Sequence, residues 1–178
     1  MGANAADGNR QEVSPDALAA FYNRAVREVY HYLFRAALGD QALAEDLTQE
    51  TFASIVIAIN AGRAEALEMP WVIGVARHKL IDHYRRAASE QRRMALVWPG
   101  LNAAEEQCFD LEDEGPARVV GLLRELSPIH RLVLVLRYLD DLPVEEVASS
   151  IDRSVHATES LLVRARRSLT RSRKENAS

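Results

Sequence analysis

An all-α chain, made of two small helical domains joined by a flexible acidic linker, is predicted by three observations. The 178 residues include only 8 glycines and 6 prolines, and alanine, leucine, arginine and glutamate are abundant, a composition that favours helices. Apolar residues recur three and four apart in several separate stretches, as helices with one buried face require. Charge is segregated. The chain is slightly acidic overall, at a formal net −4, yet residues 71–93 carry Arg77, Lys79, Arg85, Arg86, Arg92 and Arg93 against Asp82 and Glu90. Residues 153–174 carry Arg153, Arg164, Arg166, Arg167, Arg171, Arg173 and Lys174 against Glu159 alone. Between them Glu105, Glu106, Asp110, Glu112, Asp113 and Glu114 form a run without a basic residue, so two basic patches flank an acidic spacer.

Residues 1–13 have no periodicity and are expected to be disordered. A first domain over 14–93 opens at Ser14-Pro15-Asp16, where Ser14 can cap, Pro15 suits the first helical turn and Asp16 suits the dipole. Leu18, Phe21, Ala25, Val29 and Leu33 then mark the buried stripe of a helix to about Leu38; Gly39 ends it and Asp40 can cap the next. The second helix buries Leu47, Thr51, Ile55 and Ala58, and presents Asp46, Gln49, Glu50, Ala53 and Ile57 on another side. A solvated helix would not leave Phe52, Val56 and Ile57 outside its core stripe, so this face is expected to be covered in part by another protein. The segment fades at Asn60-Ala61-Gly62 into a polar loop running to Pro70.

A third helix, from Trp71 to about Arg86, buries Ile73, Ala76, Leu80 and Tyr84. Its other side carries Trp71, His78, Asp82 and Arg85, with Lys79 and Arg86 beside them. Cations interleaved with an aromatic ring suit a nucleic acid with unstacked bases, since phosphates attract the charge and a base stacks on the ring. A solvated, arginine-rich helix end would have the same composition, and on these residues alone both readings stay open.

Periodicity lapses after Arg93, and residues 94–115, with Trp98-Pro99-Gly100 and the acidic run, read as a linker. A second domain over 116–172 begins with a helix from Ala117 to Glu125 presenting Val119, Leu122, Leu123 and Leu126. Ser127-Pro128 opens the next, striped by Ile129, Leu132, Val133, Leu136 and Leu139, and Asp140-Asp141-Leu142-Pro143 breaks it. VEEVASSI, the turn DRSV and the basic HATESLLVRARRSLTRSR then lay out a helix-turn-helix, with 173–178 a disordered tail. On the last helix Thr158, Leu162, Ala165 and Leu169 fall inward, while His156, Glu159, Ser160, Val163, Arg164, Arg167 and Arg171 fall outward. Outward residues of this kind suit the major groove, with the later arginines clamping phosphates.

DLTQETF and WVIGVARHKLIDHYRR, at their spacing, resemble region 2 of the small extracytoplasmic-function class of bacterial sigma factors, and the block from Leu123 to Leu169 resembles their region 4. The resemblance implies an RNA polymerase subunit that finds promoters and is no enzyme, with core RNA polymerase (clamp and flap), promoter DNA and an anti-sigma protein as partners and no cofactor. It implies that Asp46, Gln49, Glu50 and Ala53 contact the polymerase clamp. Trp71, His78, Lys79, Asp82, Tyr84, Arg85 and Arg86 would meet melted minus-ten DNA, although helical projection puts Tyr84 in the core. The loop before Pro70 would capture a base flipped from that element, and the acidic linker would thread the polymerase channels. His156, Glu159, Ser160, Val163, Arg164 and Arg167 would read the minus-thirty-five element. Two departures stand out: Asp152 occupies a turn position where the family usually has glycine, and Glu159 and Leu161 occupy positions that are often basic. A carboxylate repels phosphates but accepts a hydrogen bond from cytosine N4, so Glu159 is expected to read a cytosine.

Other classes fit less well. Cys108 is the only cysteine, which excludes an internal disulfide and a multi-cysteine zinc site. The histidines His31, His78, His83, His130 and His156 are scattered, and His78 with Asp82 lacks a third ligand. No stretch is long and apolar enough to span a bilayer and no signal-peptide core is visible, so a cytoplasmic location is expected. A stand-alone helix-turn-helix regulator of duplex operators remains the alternative. It leaves the face around Asp46 to Ile57 without a role.

Overall fold

The computed structural model describes residues 15–63, 68–97 and 116–175. The expectations for the N-terminal segment with its Ser14 cap, for residues 64–67 of the base-capturing loop, for linker residues 98–115 including Cys108, and for residues 176–178 lie outside the described residues. Everything described is helical or a short turn: α1 (Pro15–Ala36), α2 (Gln41–Asn60), α3 (Met69–Val97), α4 (Pro116–Glu125), α5 (Pro128–Leu134), α6 (Val144–Ser150) and α7 (Val155–Glu175). A single π-helical turn, Val135–Leu139, continues α5.

The α1–α2 corner is built as the sequence requires, with one addition. Gly39 takes a left-handed φ of 80° and its N–H donates to the Phe34 carbonyl at 2.7 Å, closing the end of α1. Leu38 is also left-handed, at φ 57°, a cost offset by burial of its side chain. Asp40 then caps α2, its Oδ1 accepting from the Leu43 N–H at 3.1 Å.

Helices α1, α2 and α3 pack pairwise around Phe21, Val29, Leu33, Leu47, Ile55, Val72, Leu80 and Tyr84. Phe52, expected on the outer face of α2, is instead buried, its ring edge-on to Tyr22 with centroids 4.7 Å apart. Val56 and Ile57 do stay exposed, Ile57 at 60 %. The third helix is longer at both ends than its apolar stripe predicts. Pro70 fits in its first turn, where an N–H would have no intrahelical acceptor.

Helices α4 to α7 form the second unit around Leu122, Leu132, Leu136, Val147, Leu162, Ala165 and Leu169. The π turn corrects one expectation. Leu139 belongs to the predicted stripe of α5, but a π turn advances the chain more slowly around the axis, and Tyr138 and Leu139 rotate out to the surface. The two units are not separate. Helix α5 packs on α3, and one apolar cluster runs through both from Phe21 to Leu169.

Candidate nucleic-acid interface

On α2, Asp46, Gln49, Glu50 and Ala53 are all exposed and share one face with Ile57. The opposite side is fixed by Leu47, Thr51 and Ile55, and the hydroxyls of Thr48 and Thr51 donate to carbonyls one turn back, at 2.7 and 2.6 Å. An acidic strip is thereby joined to an apolar one on a rigid helix, the composition of a protein-binding rather than an anion-binding surface.

The α3 face divides. His78, Asp82 and Arg86 are exposed, Trp71 and Lys79 are half-buried, and Arg86 Nε donates to the Asp82 carbonyl at 3.2 Å. Tyr84 goes to the core, at 1 % exposure, with the Arg131 guanidinium 5.7 Å from its ring centroid. Its hydroxyl has no hydrogen-bond partner, and burial pushes the phenol pKa up. Arg85 is exposed yet engaged: its guanidinium meets the Asp152 carboxylate at 2.6 Å. Nearby, Arg77 Nε and the Tyr32 hydroxyl both donate to Asp140 Oδ2, at 2.8 and 2.9 Å. The Asp140 side chain is only 3 % exposed, and Tyr32, buried beside this carboxylate, has its pKa pushed well up.

In the second unit α6, the turn and α7 make the helix-turn-helix. Asp152 turns the chain with φ 52°, and the Arg153 N–H returns to the Ala148 carbonyl at 3.0 Å. Aspartate is among the few residues with a side chain that adopt this conformation at modest cost, so the expected glycine is replaced without unfolding the turn. Ser154 caps α7, its Oγ accepting from the Ala157 N–H at 3.2 Å. Thr158, Leu162, Ala165 and Leu169 are buried, and Leu161 joins them, so it faces no DNA. His156, Glu159 and Arg164 are exposed, Ser160, Val163 and Arg167 are half-buried, and Arg164 Nε bonds the Ser160 carbonyl at 3.2 Å. His130 of α5 lies near this helix, and its pKa is lowered first by burial and then by Arg164.

Among the described residues no group of His, Cys, Asp and Glu side chains could hold a metal ion, and no helix is long and apolar enough to cross a membrane. Helices α3 and α7 carry exposed cations, and α2 carries an exposed face of Asp46, Gln49, Glu50, Ala53 and Ile57.

Comparison with known proteins decides the family. The Sigma-70 region 2 model matches residues 21–90 and the Sigma-70 region 4 model matches residues 117–169. The ECF RNA polymerase sigma factor SigM of Bacillus subtilis is 31% identical over 150 residues, covering 83% of this chain and 90% of SigM. The chain belongs to the ECF RNA polymerase sigma factors. This sigma factor is also 28% identical over 159 residues to the ECF RNA polymerase sigma factor BldN of Streptomyces coelicolor. The match covers 88% of this chain but only 60% of BldN. Its fold is similar to that of the sigma factor RpoE from Bartonella quintana, solved with the anti-sigma factor NepR, at a TM-score of 0.50, 15% identity and coverage of 86% of this chain and 94% of that one. A sigma factor acts in transcription initiation and is no enzyme.

What the sequence did not reveal is the set of contacts between the two units of this sigma factor. Asp140 was legible only as a helix break and Asp152 only as an odd turn residue. Neither signal is periodic, and the partners of Asp140 stand 108 and 63 residues away.

Proposed function

We propose that this sigma factor joins core RNA polymerase through the α2 face of Asp46, Gln49, Glu50 and Ala53, and selects promoters with two DNA-reading helices in domains spanning 14–93 and 116–172. The acidic carboxylates of α2 pair with basic side chains of the clamp, and region 4 rests on the flap. His78, Lys79, Asp82, Arg85 and Arg86, with Trp71 as the stacking ring, engage melted minus-ten DNA. Tyr84 supports that helix from behind through packing. His156, Glu159, Ser160, Val163, Arg164 and Arg167 address the minus-thirty-five element.

The observation that supports the reading is the outward display of Asp46, Gln49, Glu50 and Ala53 on one helix face, in a chain whose α7 is the capped second helix of a helix-turn-helix. The protein works in the cytoplasm, where its polymerase is. An anti-sigma protein controls it, as NepR is bound to RpoE in the Bartonella complex, and the exposed Val56 and Ile57 on α2 offer such a protein an apolar foothold.

In-vitro transcription with core polymerase and a promoter library tests this. The native chain is expected to give transcripts from a defined promoter set that disappear when Asp46 and Glu50 are both reversed to arginine. Salt-sensitive duplex binding by the free protein with no transcripts would instead point to a stand-alone regulator.

A further inference from the structure

An apolar cavity of about 920 Å³ opens between the end of α1 and the second unit. Its walls include Phe34 and Leu38 of α1, Val120 and Leu123 of α4, Val135 of the π turn and Leu169 of α7. Leu38, Val135 and Leu169 are buried, and Phe34, Val120 and Leu123 are half-buried. The π turn shapes one side, because it rotates Tyr138 and Leu139 out of the α5 core, and both line this space. Protein cores fill to near-crystalline density, so an apolar space within the size range of small-molecule sites is room that a ligand's hydrocarbon can occupy.

The rim of this cavity is cationic. Arg35, Arg124 and Arg166 come from three helices, all line it, and all are exposed. No aspartate or glutamate is among the described residues lining it. Elsewhere the chain pairs its cations, as with Arg77 and Asp140, Arg85 and Asp152, and Arg93 and Glu90, whereas none of these three meets a carboxylate among the described residues. Arg124 Nε donates to the Leu38 carbonyl at 2.9 Å, and Arg166 Nη1 donates to the Tyr138 hydroxyl at 3.4 Å. Gly39 leaves room for Arg124, since a Cβ there would stand 3.1 Å from Nη2. Three guanidiniums gathered without a counter-charge favour an anion at the mouth.

We propose that this cavity binds a free long-chain carboxylate, with its hydrocarbon between α1, α4 and α7 and its carboxylate at the arginine rim. The apolar walls reward any hydrocarbon they remove from water, and the guanidiniums select the charged end. A small anion without a chain leaves the walls wet, and a neutral lipid leaves the arginines without a counter-charge. The DNA-reading residues assigned above do not line the cavity, so this site is additional to the promoter-binding surfaces. Its walls come from region 2 and region 4 alike. An occupied cavity therefore ties the two units together and gives the sigma factor a small-molecule input.

The test titrates the full chain with cis-parinarate, a long-chain carboxylate that fluoresces when held in an apolar site, kept below the concentration at which it forms micelles. Its methyl ester, which has the same chain without the charge, is titrated beside it. The native chain is expected to bind the acid saturably, one molecule per chain, and roughly tenfold or more tighter than the ester. Arg35→Gln combined with Arg166→Gln, both at exposed positions, should erase most of that preference while leaving the ester's affinity unchanged. Val120→Phe, which fills the space from α4, should weaken both ligands. The acid should also raise the denaturant midpoint of the native chain and not that of the filled variant. Absence of saturable binding would overturn the proposal, as would equal affinity for acid and ester, or an acid affinity that neither variant changes, which means adsorption elsewhere. Uptake of an acidic amphipathic peptide by a chain that ignores the fatty acid would also overturn it and assign the cavity to a protein partner. Circular dichroism of each variant confirms that its helices are intact before binding is compared.

Discussion

Tyr84 is the residue at which helical geometry and family position pull in opposite directions, and geometry wins. Its ring is buried beside Arg131, whose charge partly counters the desolvation of the hydroxyl, and that hydroxyl makes no hydrogen bond of normal geometry. Removing that hydroxyl therefore costs little: Tyr84→Phe is expected to leave stability unchanged or raise it by up to about 1 kcal/mol in denaturant titration, while Tyr84→Ala loses about 3–5 kcal/mol. A clear loss in the phenylalanine variant would mean that the hydroxyl has a partner. The histidines make a second prediction at this scale. His83 is held below its ordinary pKa by burial first and then by Arg86, with Arg131 acting in the same sense and Asp40 and Glu50 opposing. His130 is held down by burial and by Arg164. Both are depressed bases, so they cost nothing when neutral. As the pH falls below about 6.5 the unfolded chain takes up protons that the folded chain resists, and stability declines until the folded pKa values are passed. The denaturant midpoint should fall on acidification through this window, and exchange of both histidines for glutamine should flatten the fall.

At the scale of elements, α1, α2 and α7 could be read almost directly, because their buried stripes keep helical spacing and Gly39 and Asp40 mark the α1–α2 corner, whereas the Ser154 cap of α7 was hidden in a stretch read as turn. The parts that resisted reading had specific physical causes. Phe52 lies beside the core stripe rather than on it, and it is buried within the apolar cluster with its ring against Tyr22 of α1. Leu139 keeps helical spacing in the sequence, but the π turn changes the residues per turn, and no local residue announces a π turn. On α7 the helix face predicts a division of labour. Arg164→Ala is expected to weaken every promoter, since it removes a phosphate contact, whereas Glu159→Gln should change which promoters are chosen, since it alters what the helix accepts from a base edge. Quantitative transcription across a promoter panel separates these outcomes. A uniform loss from both variants would remove Glu159 from sequence readout.

At the scale of the whole molecule, the sequence contains both halves of the machine but not their mutual placement. Two basic patches and an acidic spacer are visible in one dimension, whereas pairing of Arg77 with Asp140 and Arg85 with Asp152 exists only once α5 packs on α3. Such long-range ion pairs leave no periodic trace. As a sigma factor the chain is expected to bind promoters tightly only together with its polymerase. The most direct measurement is the affinity of one selected promoter fragment for the native chain, free and assembled with core polymerase, at fixed salt. The expected result is tight, sequence-selective binding by the holoenzyme and weak, unselective binding by the free chain, with the holoenzyme lost when Asp46 and Glu50 are reversed. Equal, selective binding to the duplex with and without polymerase would contradict the central claim.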